Sequence, residues 1–449
     1  MSKKARVRFA PSPTGYLHLG NARMATLNCF LAKKINADFV LRIDDTDIGR
    51  VKQEYIDGVA EDLEWLGISW SETFKQSERL GIYNNFLAKL KAENLVYPCY
   101  ETPEELDYKK KLQIAMKRPP IYDREMLNIT EEQKAKFESE GRKPYYRLKI
   151  SHKDIKWKDL IKGDIHFKGE NISDPVVLRE DGSFLYLLTS VIDDIESDIT
   201  HIIRGEDHVV NTAVQIQMFE YLNAPVPIFA HLPLITNNSG EGFSKRDGAL
   251  SLRSLRASGI HPMTINNYLF MLGLGERDKT YISIDEIVKD FDLEKYNSAS
   301  AKFDEEKLLE TNLRVLKLSP FAEIKEMSKL YLDVDLPEYI WEAIKHNINN
   351  FAEIKTWFEI VTSDTLTTKV ENIDLIKIAI EMAPQEEFTN DSWNIWIDHL
   401  KTRSGLKGKE LFHPLRLAFT GLDKGPDFES LIMLIGREKL LNRLKLLVK

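Results

Sequence analysis

The stretch Arg8-Phe9-Ala10-Pro11-Ser12-Pro13-Thr14-Gly15-Tyr16-Leu17-His18-Leu19-Gly20-Asn21 changes character along its length. Val7 and Phe9 alternate with charged neighbours as a short strand does, and Pro11 and Pro13 fix φ and end it. From Asn21 the period changes, with Met24, Leu27, Phe30 and Leu31 spaced as one face of a helix. A strand, a rigid turn and a helix opening from that turn are therefore predicted. The N–H groups and positive dipole end at such a helix start favour phosphate. Gly15 and Gly20 offer a ligand backbone without a Cβ in the way. The segment predicts a nucleotide site.

Working outward, a strand at Val7–Ala10, a helix at Asn21–Lys34 and a strand at Asp38–Ile43 make a βαβ opening. Such an opening implies a parallel sheet with right-handed crossovers. Ligands in these sheets sit at the carboxyl ends of strands, so the proline turn and Asp44-Asp45-Thr46-Asp47 should face one crevice. Helices follow at Glu54–Leu66 and Ser77–Glu93. Residues 101–180 mix charged helical pieces with short strands such as Tyr145–Ile150 and read as an insertion. The nucleotide fold resumes in the apolar segments Phe184–Val191 and Ile199–Ile203, a helix at Asn211–Leu222 and an apolar strand at Ile228–Ile235. Thr264–Leu274 and Ile284–Phe291 read as helices, and from about residue 318 helix follows helix without βαβ alternation. The α/β layout is thus 1–100 with 181–240 as two halves of one domain, 101–180 inserted, 241–317 a connecting region and 318–449 a separate all-α domain.

Length alone suggests about three domains, and 43% hydrophobic residues suit a globular protein. No apolar run nears the ~18 residues that span a membrane, and Met1-Ser2-Lys3-Lys4 leads into the first strand rather than a leader, so a cytoplasmic location is expected. Two cysteines, Cys29 and Cys99, are too few for a disulfide framework or a four-cysteine zinc site. The net charge of −8 speaks against nucleic acid only if charge is averaged over the chain. The last 49 residues hold eleven Lys and Arg against five Asp and Glu, a basic end that suits RNA or, equally, a solvated helical face.

About 220 residues after the opening turn comes Gly242-Phe243-Ser244-Lys245-Arg246-Asp247-Gly248. Taken alone it is a solvated basic turn. With the unbroken run Pro11 to Asn21, however, it resembles the paired signatures of class I aminoacyl-tRNA synthetases, and Ala10-Pro11-Ser12-Pro13-Thr14-Gly15 ahead of His18-Leu19-Gly20 resembles the glutamyl branch. The likeness to bacterial-type glutamyl-tRNA synthetases runs the length of the chain, the segment Gly405–Gly421 resembling their anticodon-binding domain. Gly242 stands where the family has a first lysine, so Lys245, helped by Arg246, carries the charge-following role in pyrophosphate departure.

The resemblance implies a Rossmann-type catalytic domain with an acceptor-binding insertion, then an anticodon-binding domain. It implies a monomer that joins glutamate to the 3′ end of tRNA(Glu) through a glutamyl-adenylate, with ATP and Mg²⁺ as substrate and activation awaiting bound tRNA. Glutamate falls to Arg8, Ser12, Asp44, Tyr186, Ser190 and Arg204, the two arginines for its carboxylates and Asp44 for its ammonium. ATP falls to Ala10, Ser12, His18, Gly20, Glu206, His208, the backbone of Leu234 and Ile235, and Lys245. His18 and Lys245 are the catalytic pair, His18 as a phosphate donor because the attacking carboxylate has no proton to remove. Each assignment has a plain alternative: Arg204 and Asp44 as structural ion pairs, Tyr186 as a core aromatic. Cys99 stands where some relatives carry a zinc-binding cluster but lacks the companions, so no protein-bound zinc is expected. Asn347-Ile348-Asn349-Asn350-Phe351 lies where the family's anticodon arginine would be, which opens tRNA(Gln) as an acceptor beside tRNA(Glu), or in its place. A non-catalytic tRNA-binding paralogue is the other alternative, since Gly242, Ser190 and Asp44 depart from the family pattern.

Overall fold

A computed structural model describes residues 3–47, 49–236, 251–275, 279–366 and 371–448. The chain divides into two compact units, Met1–Ser254 with Ile265–Asp304, and Leu255–Thr264 with Glu305–Lys449.

In the first unit, β1 (Arg6–Phe9), α1 (Leu19–Lys34), β2 (Asp38–Ile43), α2 (Gln53–Trp65), β3 (Glu72–Lys75) and α3 (Leu80–Ala92) follow one another. Helix α1 is buried on almost every side, from Leu19 to Ala32, because it packs on β1 and is covered in turn by the helix Ile284–Asp290. Its last turn carries Lys33 and Lys34, the sign that suits a negative helix end. Strand β4 (Val96–Cys99) leads into the insertion, which contributes α4 (Pro103–Ala115), α5 (Glu131–Ser139), β5 (Tyr145–Leu148), β6 (Ile155–Asp159), β7 (Gly163–Phe167) and β8 (Val176–Leu178). Strands β4, β5 and β8 make a small antiparallel sheet, and β6 and β7 a hairpin. Gly163 sits at φ +72° in that turn, where a side chain would be strained. Both insertion helices open with reciprocal capping boxes, Thr102 with Glu105 and Thr130 with Gln133.

The second half adds α6 (Tyr186–Glu196), β9 (His201–Gly205), α7 (Val209–Tyr221), β10 (Ile228–Leu232) and β11 (Ile235–Thr236), which pairs with β12 (Ala301–Lys302). The main sheet is wholly parallel, in the order β10-β9-β1-β2-β3. The two halves of the chain run outward in opposite directions from the β1/β9 junction, the place where ligands bind in such sheets. The structure gives one apolar segment its form and changes one expected strand. Most of Phe184–Val191 is helix, because Leu188, Val191, Ile192 and Ile195 share one helical face while Thr189, Ser190, Asp193 and Asp194 are buried on another. The Ile228–Ile235 strand is broken at Pro233, so β11 leaves the main sheet.

The second unit is helical around a core that includes Trp341, Trp357, Trp393, Trp396, Phe419 and Phe428. Of the basic residues at the end of the chain, Arg443 is turned inward at 1% exposure. Its guanidinium donates to the carbonyls of Phe419 (2.9 Å), Ile360 (2.6 Å) and Ser363 (2.5 Å), at the ends of the helices Glu353–Thr362 and Lys409–Thr420. Burial lowers its pKa to about 10, which leaves it charged at neutral pH against two negative helix ends. No described helix is long and apolar enough to cross a membrane. Arg443→Met should orphan the three carbonyls and cost roughly 3 kcal/mol, about 1 kcal/mol for each, in denaturant unfolding followed by tryptophan fluorescence. A loss under about 0.5 kcal/mol would contradict this role.

Candidate active site

A cleft of about 560 Å³ opens at the carboxyl ends of β1 and β9, large enough for a small-molecule ligand. Its wall includes Arg8, Ala10, Ser12, Gly15, His18, Gly20, Tyr186, Arg204, His208, Leu234 and Ile235. Asp207, Met24 and Pro233 also line it.

His18 caps helix α1. Its Nδ1 accepts the backbone N–H groups of Gly20 (3.0 Å) and Asn21 (3.4 Å), so the ring proton sits on Nε2. This also explains Gly20, where an added Cβ would meet His18 Cε1 at 2.9 Å and Nδ1 at 3.0 Å. At Gly15 an added Cβ meets nothing within 4 Å, so the open turn faces space. His208 presents the same tautomer, with Asn211 Nδ2 3.1 Å from its Nδ1. Burial, reinforced by Arg204 and Arg8, lowers its pKa to about 4 and keeps it neutral.

Arg204 is 5% exposed, and its partners are neutral. It donates through Nη1 to Tyr186 Oη (3.2 Å), through Nη2 to Thr212 Oγ1 (2.5 Å) and Gln215 Oε1 (2.6 Å), and through Nε to His231 Nε2 (3.3 Å). Burial lowers its pKa, and Arg8 adds repulsion. Among the described residues no carboxylate lies within ion-pair distance of Arg204. Arg8 is also buried and bonds a carboxylate through Nε alone, Asp194 Oδ1 at 3.4 Å. A cleft that holds one buried guanidinium with neutral partners beside a second bonded through Nε alone favours an anion, because burying an uncompensated charge costs several kcal/mol.

Asp44 and Ser190 are not on the cleft wall. Arg42, which is 1% exposed, takes both Asp44 oxygens (2.6 and 3.2 Å), Ser190 Oγ (3.2 Å) and Asp194 Oδ1 (2.7 Å). The physical reason is the buried Arg42 charge, which must be compensated where it stands. Asp194 joins this group to Arg8, and Asp193 extends it to Arg79, Gln76 and Tyr83. The sequence signal for these residues was charge at core positions: Arg42 inside the apolar β2, Asp193 and Asp194 inside the apolar α6. Glu206 likewise frames the cleft rather than lining it. Its carboxylate holds Lys162 Nζ (2.6 Å) and the Leu234 N–H (3.2 Å), contacts that outweigh burial and keep its pKa below the usual range. Arg23, fully buried on α1, donates to the carbonyls of Pro233 (2.7 Å) and Leu272 (3.0 Å) and pins the same loop.

Gly242 to Arg246, with Lys245, lie outside the described residues. The chain leaves the cleft wall at Ile235–Thr236, and Ser251 pairs with His18 on its return, with Leu252 N–H on Leu17 O at 2.9 Å. The described residues on either side, Ile235 and Ser251, thus adjoin the cleft. Cys99 is buried, with Tyr122 Oη 3.5 Å from its sulfur, and burial pushes its thiol up to about 12. Among the described residues no group of three or more His, Cys, Asp or Glu is arranged to hold a metal.

Residues 4–310 match the family model for tRNA synthetases class I (E and Q), catalytic domain, and residues 315–448 the model for an anticodon binding domain. Glutamate-tRNA ligase 1 of Maricaulis maris is 45% identical over 440 residues, 98% of each chain. Glutamate-tRNA ligase 2 of Methylorubrum populi is 44% identical over 445 residues, 99% of each. A crystal structure of a glutamate tRNA ligase from Elizabethkingia meningosepticum in complex with its amino acid superposes with a TM-score of 0.86 at 29% identity, covering 99% of both chains. Two buried arginines in a cleft at the sheet's switch point and an agreement that extends from end to end place the chain in the class I tRNA synthetase family, within its glutamate-tRNA ligase group.

Proposed function

We propose that the chain activates L-glutamate with MgATP and transfers it to the 3′ end of tRNA(Glu). The observation that carries this reading is Arg204, a buried guanidinium with neutral partners, beside Arg8 in one cleft. Glutamate supplies the carboxylate that Arg204 lacks and a second for the Nη atoms of Arg8, which meets Asp194 through Nε alone, and Arg binds a planar carboxylate in two-pronged fashion. One carboxylate oxygen of the α-carboxyl bonds to the α-phosphorus as the bond to pyrophosphate breaks. The ribose hydroxyl of the tRNA then takes the acyl group and AMP leaves.

His18 and His208 are neutral N–H donors toward phosphate, aided by the α1 dipole. Lys245 follows the charge onto pyrophosphate. Asp44 and Ser190 act at one remove, holding Arg42, whose partner Asp194 holds Arg8. A cytoplasmic monomer without zinc is part of the same reading. A second acceptor, tRNA(Gln), is favoured by one feature: Asn347, Asn349 and Asn350 occupy the exposed loop before the helix Glu353–Thr362, bonding Gly425 O and Glu353.

Glutamate-dependent ATP–pyrophosphate exchange, run with and without tRNA, separates the enzyme from an RNA-binding paralogue. Lys245→Ala should lower that rate by about 10²-fold or more, and an unchanged rate would remove Lys245 from the chemistry. Charging of purified tRNA(Glu) and tRNA(Gln) should show both accepted, whereas strict rejection of tRNA(Gln) would end the relaxed-discrimination reading. His208 should titrate by imidazole NMR with a midpoint near 4. Because that value lies below the unfolded one of roughly 6.5, the stability linked to neutral His208 is complete above about pH 6.5 and lost as pH falls through 4. A midpoint near 6.5 would contradict its burial between Arg204 and Arg8.

A further inference from the structure

The hairpin β6–β7 belongs to the insertion, yet its turn meets β10 at the edge of the main sheet, where Leu160 N–H donates to Phe229 O (3.0 Å). Asp159, at the end of β6, is 1% exposed. Its Oδ1 accepts the N–H groups of Ile161 (3.0 Å), Lys162 (3.0 Å) and His231 (3.1 Å), and its Oδ2 lies 2.6 Å from His231 Nδ1. His231, on β10, is wholly buried. Its other nitrogen, Nε2, meets Arg204 Nε at 3.3 Å and Thr212 Oγ1 at 2.7 Å.

Hydrogen-bond chemistry fixes the direction of this chain. A guanidinium only donates, so His231 Nε2 must offer its lone pair and Nδ1 must carry the proton. An ionised carboxylate only accepts, so Asp159 enforces that tautomer. Burial lowers the His231 pKa, with Arg204 adding to the effect against the pull of Asp159. The N–H groups around Asp159 and the ring of His231 outweigh burial and hold that carboxyl below its usual range. Arg204 therefore receives on Nε an oriented neutral acceptor, while Tyr186, Thr212 and Gln215 hold Nη1 and Nη2. The guanidinium plane is set from two sides.

We propose that Asp159 and His231 are positioning residues for Arg204: the inserted hairpin fixes, through one imidazole tautomer, the orientation in which Arg204 meets the amino acid's carboxylate. This rests on the reading of Arg204 as a glutamate ligand. Neither residue touches the cleft, and their effect passes entirely through Arg204.

The test is Asp159→Asn in the full chain. Either the Asn amide turns its nitrogen to His231 Nδ1 and forces the proton to Nε2, facing Arg204 donor to donor, or its Oδ1 leaves the three backbone N–H groups. The first reverses the tautomer; the second keeps it but leaves the Ile161, Lys162 and His231 N–H groups facing a donor and displaces the turn that holds the imidazole. The KM for glutamate in pyrophosphate exchange should rise about 10-fold or more, the size of effect known for partners that orient a binding group, while the KM for ATP stays within about 2-fold. The ¹⁵N spectrum of the His231 imidazole should show Nδ1–H in the native chain, a measurement that does not require the variant to fold. A native Nε2–H tautomer would overturn the proposal, as would an Asp159→Asn enzyme with unchanged glutamate KM or one whose KM values for both substrates rise together. Absence of glutamate-dependent exchange in the native chain would instead overturn the reading of Arg204 on which the proposal stands.

Discussion

The structure depends on a buried cation, Arg204, with no carboxylate in ion-pair distance among the described residues. Arg204 is held by a tyrosine, a threonine, a glutamine and an imidazole, so its orientation is complete while its charge is not. Such a group is expensive to maintain. The surrounding framework makes it tolerable: β9 supplies the arginine, α7 two of its partners, α6 and β10 one each, and the insertion holds β10 in place. The contrast with Arg42 is instructive. That arginine, equally buried, is satisfied by Asp44 and Asp194, and it stays behind the cleft wall. Two buried arginines thus differ in their partners, carboxylates around one and neutral groups around the other.

Three imidazoles around the cleft are neutral, and each has its tautomer set by a neighbour. His18 and His208 accept on Nδ1, from α1 backbone and from Asn211, and so present N–H groups. His231 donates from Nδ1 to Asp159 and so presents a lone pair. The sheet topology explains why they meet. His18 follows β1, His208 follows β9 and His231 lies on β10, and these strands are consecutive in space.

The opening strand, turn and helix were legible in the sequence because local rules govern them: prolines end the strand, and the period changes once the helix begins. The two arginines and Tyr186 were placed by resemblance, and the cleft brings them together. Asp44 and Ser190 were assigned to the substrate by resemblance, and their bonds to Arg42 were not legible in the sequence. Ser190 and Asp194 reach it across 148 and 152 residues. Phe184–Val191 read only as an apolar segment, because a helix buried on both faces loses its polar stripe. The Asp159–His231 link, 72 residues apart, leaves no periodic trace at all. Arg443 was counted with a basic surface, since charge composition carries no information about which helix ends a guanidinium will cap.

The most direct measurement is a crystal structure of the chain with saturating glutamate. One carboxylate should lie about 3 Å from the Arg204 guanidinium and the other against Arg8, with the Tyr186, Thr212, Gln215 and His231 contacts unchanged. Glutamate bound away from both arginines, or a cleft that stays empty at saturation, would contradict the account.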